Sequence, residues 1–326
     1  MMRFLRKILP FCLAIALLAY ALNDISFVDI TRQFQQAHYG WIALVALITV
    51  LTYLIRSKRW QQPLKALGYY PTAFRAMVAM LAGVIASLIV PGSGELTRCA
   101  TLQRTDSVPF SQGIGSVVAE RVIDLLMLGV VLLLTVLLEL NRMQIYLSGL
   151  SLNIPNVSGW WLFFGCLVTG LLSWLSWRWL LQSTFQQHSI VLKLTNAARG
   201  VWAGFSAIRS LPKPYLFVLL TVGTYFLFWL STYCLLLSLD RTHSLPPSAA
   251  LTILAVSSLG GLAVPTQGGI GTYHFFVSRV LVLYGFTPAE GAVIATFLHA
   301  VGFGINLLLS SLSFVLVPFI LADKTK

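Results

Sequence analysis

Five charged side chains stand within or beside apolar stretches of this chain, where they could bind a charged ligand. Glu95 and Arg98 are three residues apart, so a helix would place both on one face. Glu120, Arg121 and Asp124 begin a later apolar stretch. The two carboxylates of that group would share a helix face and repel each other unless a cation lay near them. Arg98 and Arg121 are the available cations.

These charges allow two interpretations. In the first, they form a buried network that offers arginine to a phosphate headgroup, for which the bidentate guanidinium is suited. In the second, Glu95 pairs with Arg121 and Arg98 pairs with Asp124 only to neutralise charge within the protein. We favour the first interpretation, because a neutral core would cost less free energy to build.

A second polar group lies in the C-terminal part of the chain and consists of Tyr273, His274 and His299. The histidines could relay protons or donate hydrogen bonds to a headgroup, since their charge changes near neutral pH. Alternatively, each is simply hydrogen-bonded within the fold. Two histidines without a nearby carboxylate or thiol leave a zinc coordination sphere incomplete, so we predict no metal and no cofactor.

Both polar groups follow an interruption of an apolar run by proline and glycine. The first interruption is Leu88–Glu95 (LIVPGSGE) and the second is Leu262–Gly271 (LAVPTQGGIG). A helix that breaks inside a bilayer exposes backbone groups that lipid cannot satisfy, so such breaks face protein or a watery cavity. A pair of breaks in corresponding halves indicates a substrate site near mid-membrane. Main-chain N–H groups near Gly92 and Gly94 could also bind an anion at the start of a half-helix.

The composition predicts a membrane protein with several spans. Hydrophobic residues make up 57% of the 326 residues and charged residues 10%, and the mean hydropathy is +0.83. Apolar runs long enough to cross a bilayer are expected near Gly40–Ile55, Gly113–Leu138, Trp160–Leu181, Tyr215–Leu239 and Gly291–Leu321. A shorter run, Ile8–Leu22, follows basic residues without a small-residue cleavage site, so we interpret it as an uncleaved first helix.

The distribution of lysine and arginine predicts the orientation in the membrane, because these residues are retained on the cytoplasmic side. The first long polar loop is expected to hold Arg56, Lys58, Arg59, Lys65 and Arg75, and a later one Arg178 to Lys213. The opposite loops hold only Arg32, Arg142 and Arg241. We therefore predict a cytoplasmic membrane protein with both termini in the cytoplasm.

We predict one all-α transmembrane domain over residues 1–326, with about six full spans and two broken re-entrant hairpins. The hairpins enter from opposite sides and form inverted-repeat units of about 76–138 and 249–321. Eight plain helices with two proline kinks are the alternative. Residues of about 182–214 are predicted to form an amphipathic cytoplasmic helix or an ordinary connecting helix. The net charge of +12 lies in short loops beside the membrane, which argues against a nucleic-acid partner.

Three motifs together resemble the lysylphosphatidylglycerol synthase transmembrane region, a family of flippase-like membrane proteins. They are residues 90–98 (VPGSGELTR), 119–124 (AERVID) and 264–271 (VPTQGGIG). The resemblance extends from about Gly40 to Leu321. It implies a protein that moves or helps to modify a lipid or lipid-linked substrate, with headgroup-binding roles for the matching residues Glu95, Arg98, Glu120, Arg121 and Asp124.

This chain departs from the family pattern at two positions. Tyr273-His274 stands where many members have Arg-Glu after the second glycine motif, and His299 stands where they have arginine in the last long helix. Both partners of a plausible ion pair differ together from the family pattern. The sequence therefore does not predict the identity of the substrate headgroup. We also expect no synthesis of lysylphosphatidylglycerol by this chain alone, because no aminoacyl-transferring domain follows Phe319-Ile320.

The predicted function is translocation or binding of a polar or charged lipid between leaflets. The alternatives are a membrane-embedded transferase or an accessory subunit that acts on a lipid-linked substrate in envelope synthesis, but no catalytic motif is present. The expected partners are anionic or aminoacylated phospholipids or a lipid-linked intermediate, and an envelope-synthesis enzyme is a further candidate. The predicted substrate-binding residues are Gly92, Gly94, Glu95, Arg98, Glu120, Arg121, Asp124, Gln267, Gly269, Gly271, Tyr273, His274 and His299.

Overall fold

The computed structural model describes residues 27–149 and 213–324, together with the single positions 18, 168 and 211. Within these residues the secondary structure is helical, which confirms the predicted all-α class. The α-helices are α1 (Phe27–Gln35), α2 (Tyr39–Ala66), α3 (Ala73–Ile89), α4 (Ser93–Asp106), α5 (Phe110–Gly149), α6 (Pro214–Leu237), α7 (Pro247–Ala263), α8 (Thr272–Val282) and α9 (Pro288–Lys324). A 3-10 turn, Gln267–Gly269, separates α7 from α8.

Four of the described helices are long and apolar enough to cross a membrane. They include Tyr39–Ala66, Phe110–Ile145, Pro214–Leu237 and Pro288–Leu321, and they correspond to four of the six predicted spans. The other two spans, Ile8–Leu22 and Trp160–Leu181, lie outside the described residues apart from the single positions 18 and 168, as does nearly all of the predicted amphipathic segment. Large apolar side chains such as Leu138 and Leu308 are exposed on these helices, as expected for surfaces that face lipid.

Two predicted boundaries are wrong. Helix α2 does not end near Ile55 but continues for three more turns to Ala66, so Arg56 and Arg59 are helical residues rather than loop residues. Their segment stays helical because its inner face packs well: Trp60 is completely buried. Helix α5 likewise extends to Gly149, so Arg142, predicted in a loop, lies within the helix.

The first interruption is a sharp break between α3 and α4. Val90 is extended, with φ −130° and ψ 113°, as expected for a residue before proline. Gly92 then adopts a left-handed conformation with φ 77°, which costs glycine little because it has no Cβ. The break turns the chain back on itself: Arg75 near the start of α3 and Asp106 at the end of α4 form an ion pair of 3.4 Å. Helices α3 and α4 are therefore a hairpin.

The second interruption has the same construction. Val264 is extended before Pro265, with φ −131° and ψ 80°, and Gly268 follows with φ 58°. The hydroxyl oxygens of Thr252, near the start of α7, and Tyr284, just after α8, are 3.1 Å apart. Helices α7 and α8 are thus a second hairpin. With 17 and 11 residues respectively, they are each shorter than the roughly 20 residues that a span requires.

The two hairpins begin at opposite ends of α2. At its Ala66 end, the Gln61 side chain donates to the carbonyl of Pro71, in the loop that leads into α3, at 2.6 Å. At its Tyr39 end, His38 and Asp240, in the loop that leads towards α7, form a pair of 2.7 Å. A 28-residue helix therefore separates the two entry points. Entry of the hairpins from opposite sides of a membrane stays a prediction.

Helix α9 packs against both hairpins and completes the core. It contacts α3 and α8 extensively, and Phe297 on its inner face is completely buried beside Phe34 of α1, with ring centroids 4.9 Å apart. The Tyr53 hydroxyl of α2 donates to the Asn306 side chain at 2.6 Å. Helix α9 is thus packed against α3 of the first hairpin and α8 of the second, and it is hydrogen-bonded to α2.

Candidate functional site

The two breaks face one cavity of about 330 Å³, here named cavity 1. The first hairpin lines it with its break and the first turns of α4, and the break of the second hairpin contributes Pro265, Thr266, Gly268 and Gly269, whereas the predicted residue Gln267 is not part of the lining. Two arginines from neighbouring long helices complete the lining. The lining residues that matter below are Ser87, Gly92, Gly94, Glu95, Arg98, Gly268, Gly269, Arg56 and Arg121. Predicted residues of both interruptions therefore meet at one place.

A close approach of two glycines positions α4 at this cavity. A Cβ atom on Gly94 would lie 2.6 Å from the Gly83 carbonyl oxygen and would also collide with the Ser87 hydroxyl. The reciprocal Cβ on Gly83 would lie 2.6 Å from the Gly94 carbonyl oxygen. Only the absence of both side chains allows the two backbones to pack so closely. Glu95 and Arg98, which follow Gly94 on α4, consequently lie at the cavity wall.

An ion-pair network that is buried except at Asp124 extends from Arg98 at the cavity. The Arg98 Nη1 atom donates to Glu120 Oε2 at 3.0 Å, and the Arg59 Nε atom donates to Glu120 Oε1 at 3.3 Å. Arg59 Nη1 also donates to Asp124 Oδ1 at 2.7 Å. The side chains of Arg59, Arg98 and Glu120 are at most 5% exposed. One buried carboxylate is thus shared by arginines from α2 and α4.

A more exposed pair borders the cavity. Arg121 Nη2 lies 2.8 Å from Glu95 Oε1, and Arg121 Nη1 lies 3.6 Å from Asp124 Oδ2. Of the two pairings that the alternative interpretation contained, that of Glu95 with Arg121 is confirmed and that of Arg98 with Asp124 is wrong. Arg98 instead contacts Glu120, because Arg59 occupies the Asp124 carboxylate from the other helix.

Arg59 and Arg56 are site residues that the sequence interpretation missed. Arg56 lines cavity 1 and a second cavity of about 440 Å³ between α2, α5 and α6. Its guanidinium lies over the Phe228 ring, 6.0 Å from the centroid. The signal was the spacing of Tyr53, Arg56 and Arg59 by three residues, which continues one helix face past the apolar run.

The cluster carries more positive than negative charge. Four arginines, Arg56, Arg59, Arg98 and Arg121, surround three carboxylates, Glu95, Glu120 and Asp124. Each carboxylate contacts at least one arginine within 4 Å. Within the two described ranges, Arg56 forms no ion pair at this distance. The cluster therefore holds one more arginine than carboxylates, and Arg56 is the arginine without an ion pair in these ranges.

The predicted residues of the second group support the second break from behind rather than lining cavity 1. The His299 Nε2 atom lies 2.9 Å from the Gly268 carbonyl oxygen, and the Gly271 amide is directed at His274 Nδ1 at 3.3 Å. The ring of Tyr273 lies 5.2 Å from that of His299. This geometry matches the alternative in which the histidines are hydrogen-bonded within the fold.

Gln267 belongs to the same break and has an unusual environment. Its Oε1 atom is buried and has no hydrogen-bond partner within residues 27–149 and 213–324. The neighbouring Thr266 side chain is paired with Thr272 across the turn. A buried acceptor without a donor is rare in folded proteins and marks this turn as a place where a further polar group can be accommodated.

The comparisons with known proteins agree with the architecture. The family described as Lysylphosphatidylglycerol synthase TM region matches residues 7–310. Over 120 residues the chain is 28% identical to the UPF0104 membrane protein MJ1595 of Methanocaldococcus jannaschii, which covers 36% of this chain and 34% of that relative. The chain thus matches about a third of the relative's length. No solved structure matches the chain.

Proposed function

Because the chain belongs to the lysylphosphatidylglycerol synthase transmembrane region family, we propose that it is a flippase-like protein that carries a polar or charged lipid headgroup through cavity 1. The acyl tails stay in the bilayer while the headgroup passes between the hairpin tips. The substrates we propose are anionic or aminoacylated phospholipids or a lipid-linked intermediate. The proposed location is the cytoplasmic membrane, with both termini in the cytoplasm.

The main support is the position of the cavity between two breaks whose hairpins begin at opposite ends of α2. In this proposal each hairpin enters from a different side of the membrane, so movement of one hairpin can open or close the cavity towards its own side. We propose that residues of about 76–138 and 249–321 form inverted-repeat units. Rocking of one unit against the other would then expose the headgroup alternately to the two leaflets.

The charges around the cavity also support a polar cargo. Arg98 is 4% exposed, and burial of charged groups costs free energy that a purely structural role could avoid with apolar side chains. Arg121 and Glu95 remain partly exposed at 48% and 34%, so a headgroup that enters the cavity can compete for them. The proposal therefore assigns Arg98 and Arg121 to headgroup binding.

A leaflet-resolved assay in proteoliposomes tests this function. Fluorescent phospholipids are placed in both leaflets, and a membrane-impermeant quencher reports their movement. We expect Arg98→Ala and Arg121→Ala to slow the movement strongly, whereas Arg104→Ala, an exposed arginine on the same helix as Arg98, retains it. Unchanged movement in both variants would refute the proposal. Product formation from a lipid-linked donor in detergent, lost in Glu95→Gln, would instead indicate a membrane-embedded transferase.

A further inference from the structure

Arg98 has two hydrogen-bond donors that no acceptor satisfies. Its Nε and Nη2 atoms are buried and have no partner within the part of the chain that the structure describes, although the residue lines cavity 1. Unpaired buried donors of a charged group are costly, because the group has lost its water without gaining an acceptor. No described residue supplies an acceptor to this edge, so it is available to an acceptor group of a ligand.

The rest of the Arg98 side chain is fixed in place. Its Nη1 atom donates to Glu120 at 3.0 Å, and its guanidinium carbon lies 4.7 Å from the centroid of the Trp60 ring. Stacking on an aromatic face and an ion pair together restrain a guanidinium plane. The guanidinium is consequently held in one orientation, and its two free donors are preorganised.

Two further features at the same cavity favour negative charge. Arg56 lines the cavity and has no ion pair within 4 Å in the described ranges. The first turn of α4, which begins at Ser93, also opens on the cavity, and the amides of a helix N-terminus attract anions. Glu95 lines the cavity too, but its carboxylate is held by Arg121 at 2.8 Å. Its negative charge is thereby offset.

We propose that cavity 1 binds one oxyanion group, such as a phosphate, between the free edge of Arg98, the guanidinium of Arg56 and the first turn of α4. The two parallel donors of Arg98 match the two oxygens of a phosphate or carboxylate. Within the headgroup site this gives the arginines different roles. Arg98 and Arg56 bind the oxyanion, Arg121 holds Glu95 at the border, where other headgroup atoms can compete for it, and Arg59 holds the Glu120 and Asp124 carboxylates. The oxyanion site deepens the proposed function, on which it rests for the source of the anion.

The oxyanion can belong to a lipid headgroup or to a free anion, and a binding measurement distinguishes them. The probes are dihexanoylphosphatidate, inorganic phosphate and, as the uncharged comparison, dihexanoylglycerol. Binding to the purified full chain in detergent is measured by titration calorimetry. Tighter binding of the phosphatidate than of inorganic phosphate identifies a lipid source, and equal binding identifies a free anion. Both results support the oxyanion site.

The variant that tests the site is Arg98→Gln combined with Glu120→Gln, which removes the anion-binding edge without leaving a buried carboxylate short of a partner. We expect its affinity for the anionic probes to fall about tenfold or more, as for the loss of charge-assisted hydrogen bonds. Arg56→Gln is expected to weaken binding as well, whereas Arg104→Gln on the same helix is expected to preserve it. Folding of each variant is checked by size-exclusion chromatography.

Anion binding that is equal in the wild type and in the double variant would overturn the inference, as would no measurable binding of either anion. These results are distinguishable from failure of the proposed function. A wild-type protein that binds the anion through Arg98 but moves no lipid would count against translocation alone. Lipid movement that persists while anion binding is absent would refute only the oxyanion site.

Discussion

The Nε atom of Arg59 on α2 donates a hydrogen bond of 3.3 Å to Glu120 Oε1 on α5, and both side chains are at most 3% exposed. Glu120 also binds Arg98 of α4 at 3.0 Å. One carboxylate therefore connects two long helices to the first hairpin. Because α4 carries the cavity wall, this contact controls where Arg98 lies.

Removal of one member of this network should destabilise the protein. Glu120→Gln leaves Arg98 without an acidic partner in the described ranges and leaves Arg59 with Asp124 alone, and breaking a buried pair typically costs about 3 to 5 kcal/mol. We expect a clear drop in the midpoint of thermal unfolding, followed in detergent by size-exclusion chromatography.

The matched control is the exposed pair of Arg241 and Glu290, which lie 2.7 Å apart. Glu290→Gln should cost about 1 kcal/mol or less, since exposed ion pairs contribute little. Equal effects of Glu120→Gln and Glu290→Gln would contradict the central structural role given to Glu120.

The packing of Gly83 against Gly94 should not tolerate a side chain. In Gly94→Ala the new methyl group would lie 2.6 Å from the Gly83 carbonyl oxygen, so α4 must move away from α3. We expect weaker anion binding and lower thermal stability. In Gly115→Ala, a Cβ would meet nothing within 4 Å, and this variant should resemble the wild type in both measurements. A Gly94→Ala protein with normal binding and stability would show that the close approach is not required.

The second break should depend on its histidine through a hydrogen bond rather than through charge. His299→Ala removes the contact of 2.9 Å with the Gly268 carbonyl, and we expect a loss of about 1 kcal/mol in the free energy of unfolding. His299→Gln can still donate to that carbonyl and should recover part of the loss. If both variants abolish lipid movement while thermal stability stays normal, the histidine acts on the substrate instead.

Some of this site is predictable from the sequence because proline and glycine report directly on the backbone. Pro91 and Pro265 each end an apolar helix, and the breaks lie where the motifs place them. Charge spacing was enough to predict that Glu95 and Arg98 share one helix face and that Glu120 and Asp124 share another. Local chemistry of this kind requires no knowledge of the packing.

The remaining parts depend on long-range contacts. Arg59 follows several polar residues and resembles a cytoplasmic loop residue, yet α2 continues because Trp60 packs in the core. The partner of Arg98 is Glu120 and not Asp124 for the same reason. Arg59, which lies 61 residues before Glu120 in the chain, packs beside it and binds Asp124. Nor does the sequence distinguish a hairpin from a kinked span, because contacts between α3 and α4, such as that of Arg75 with Asp106, are needed to show that the chain returns.

The entry of the hairpins from opposite sides is testable by chemical labelling. In a background with all four native cysteines replaced, Gln103→Cys marks the end of the first hairpin. His243→Cys and Ala289→Cys mark the entry and exit of the second, and all three positions are exposed. We expect a membrane-impermeant maleimide to label Gln103→Cys from the cytoplasmic side and the other two from the opposite side. Labelling of all three from one side would contradict the proposed inverted repeat.

The most direct test of the account is to fill the cavity between the breaks. Val84→Trp places a large side chain where Val84 now lines cavity 1, while Leu133→Trp adds the same group at a position that is 42% exposed on α5. Transbilayer movement of fluorescent phospholipid is then measured in proteoliposomes with equal amounts of folded protein. We predict that movement stops in Val84→Trp and continues in Leu133→Trp. Movement at the wild-type rate in a folded Val84→Trp protein would show that the headgroup does not pass between the two breaks.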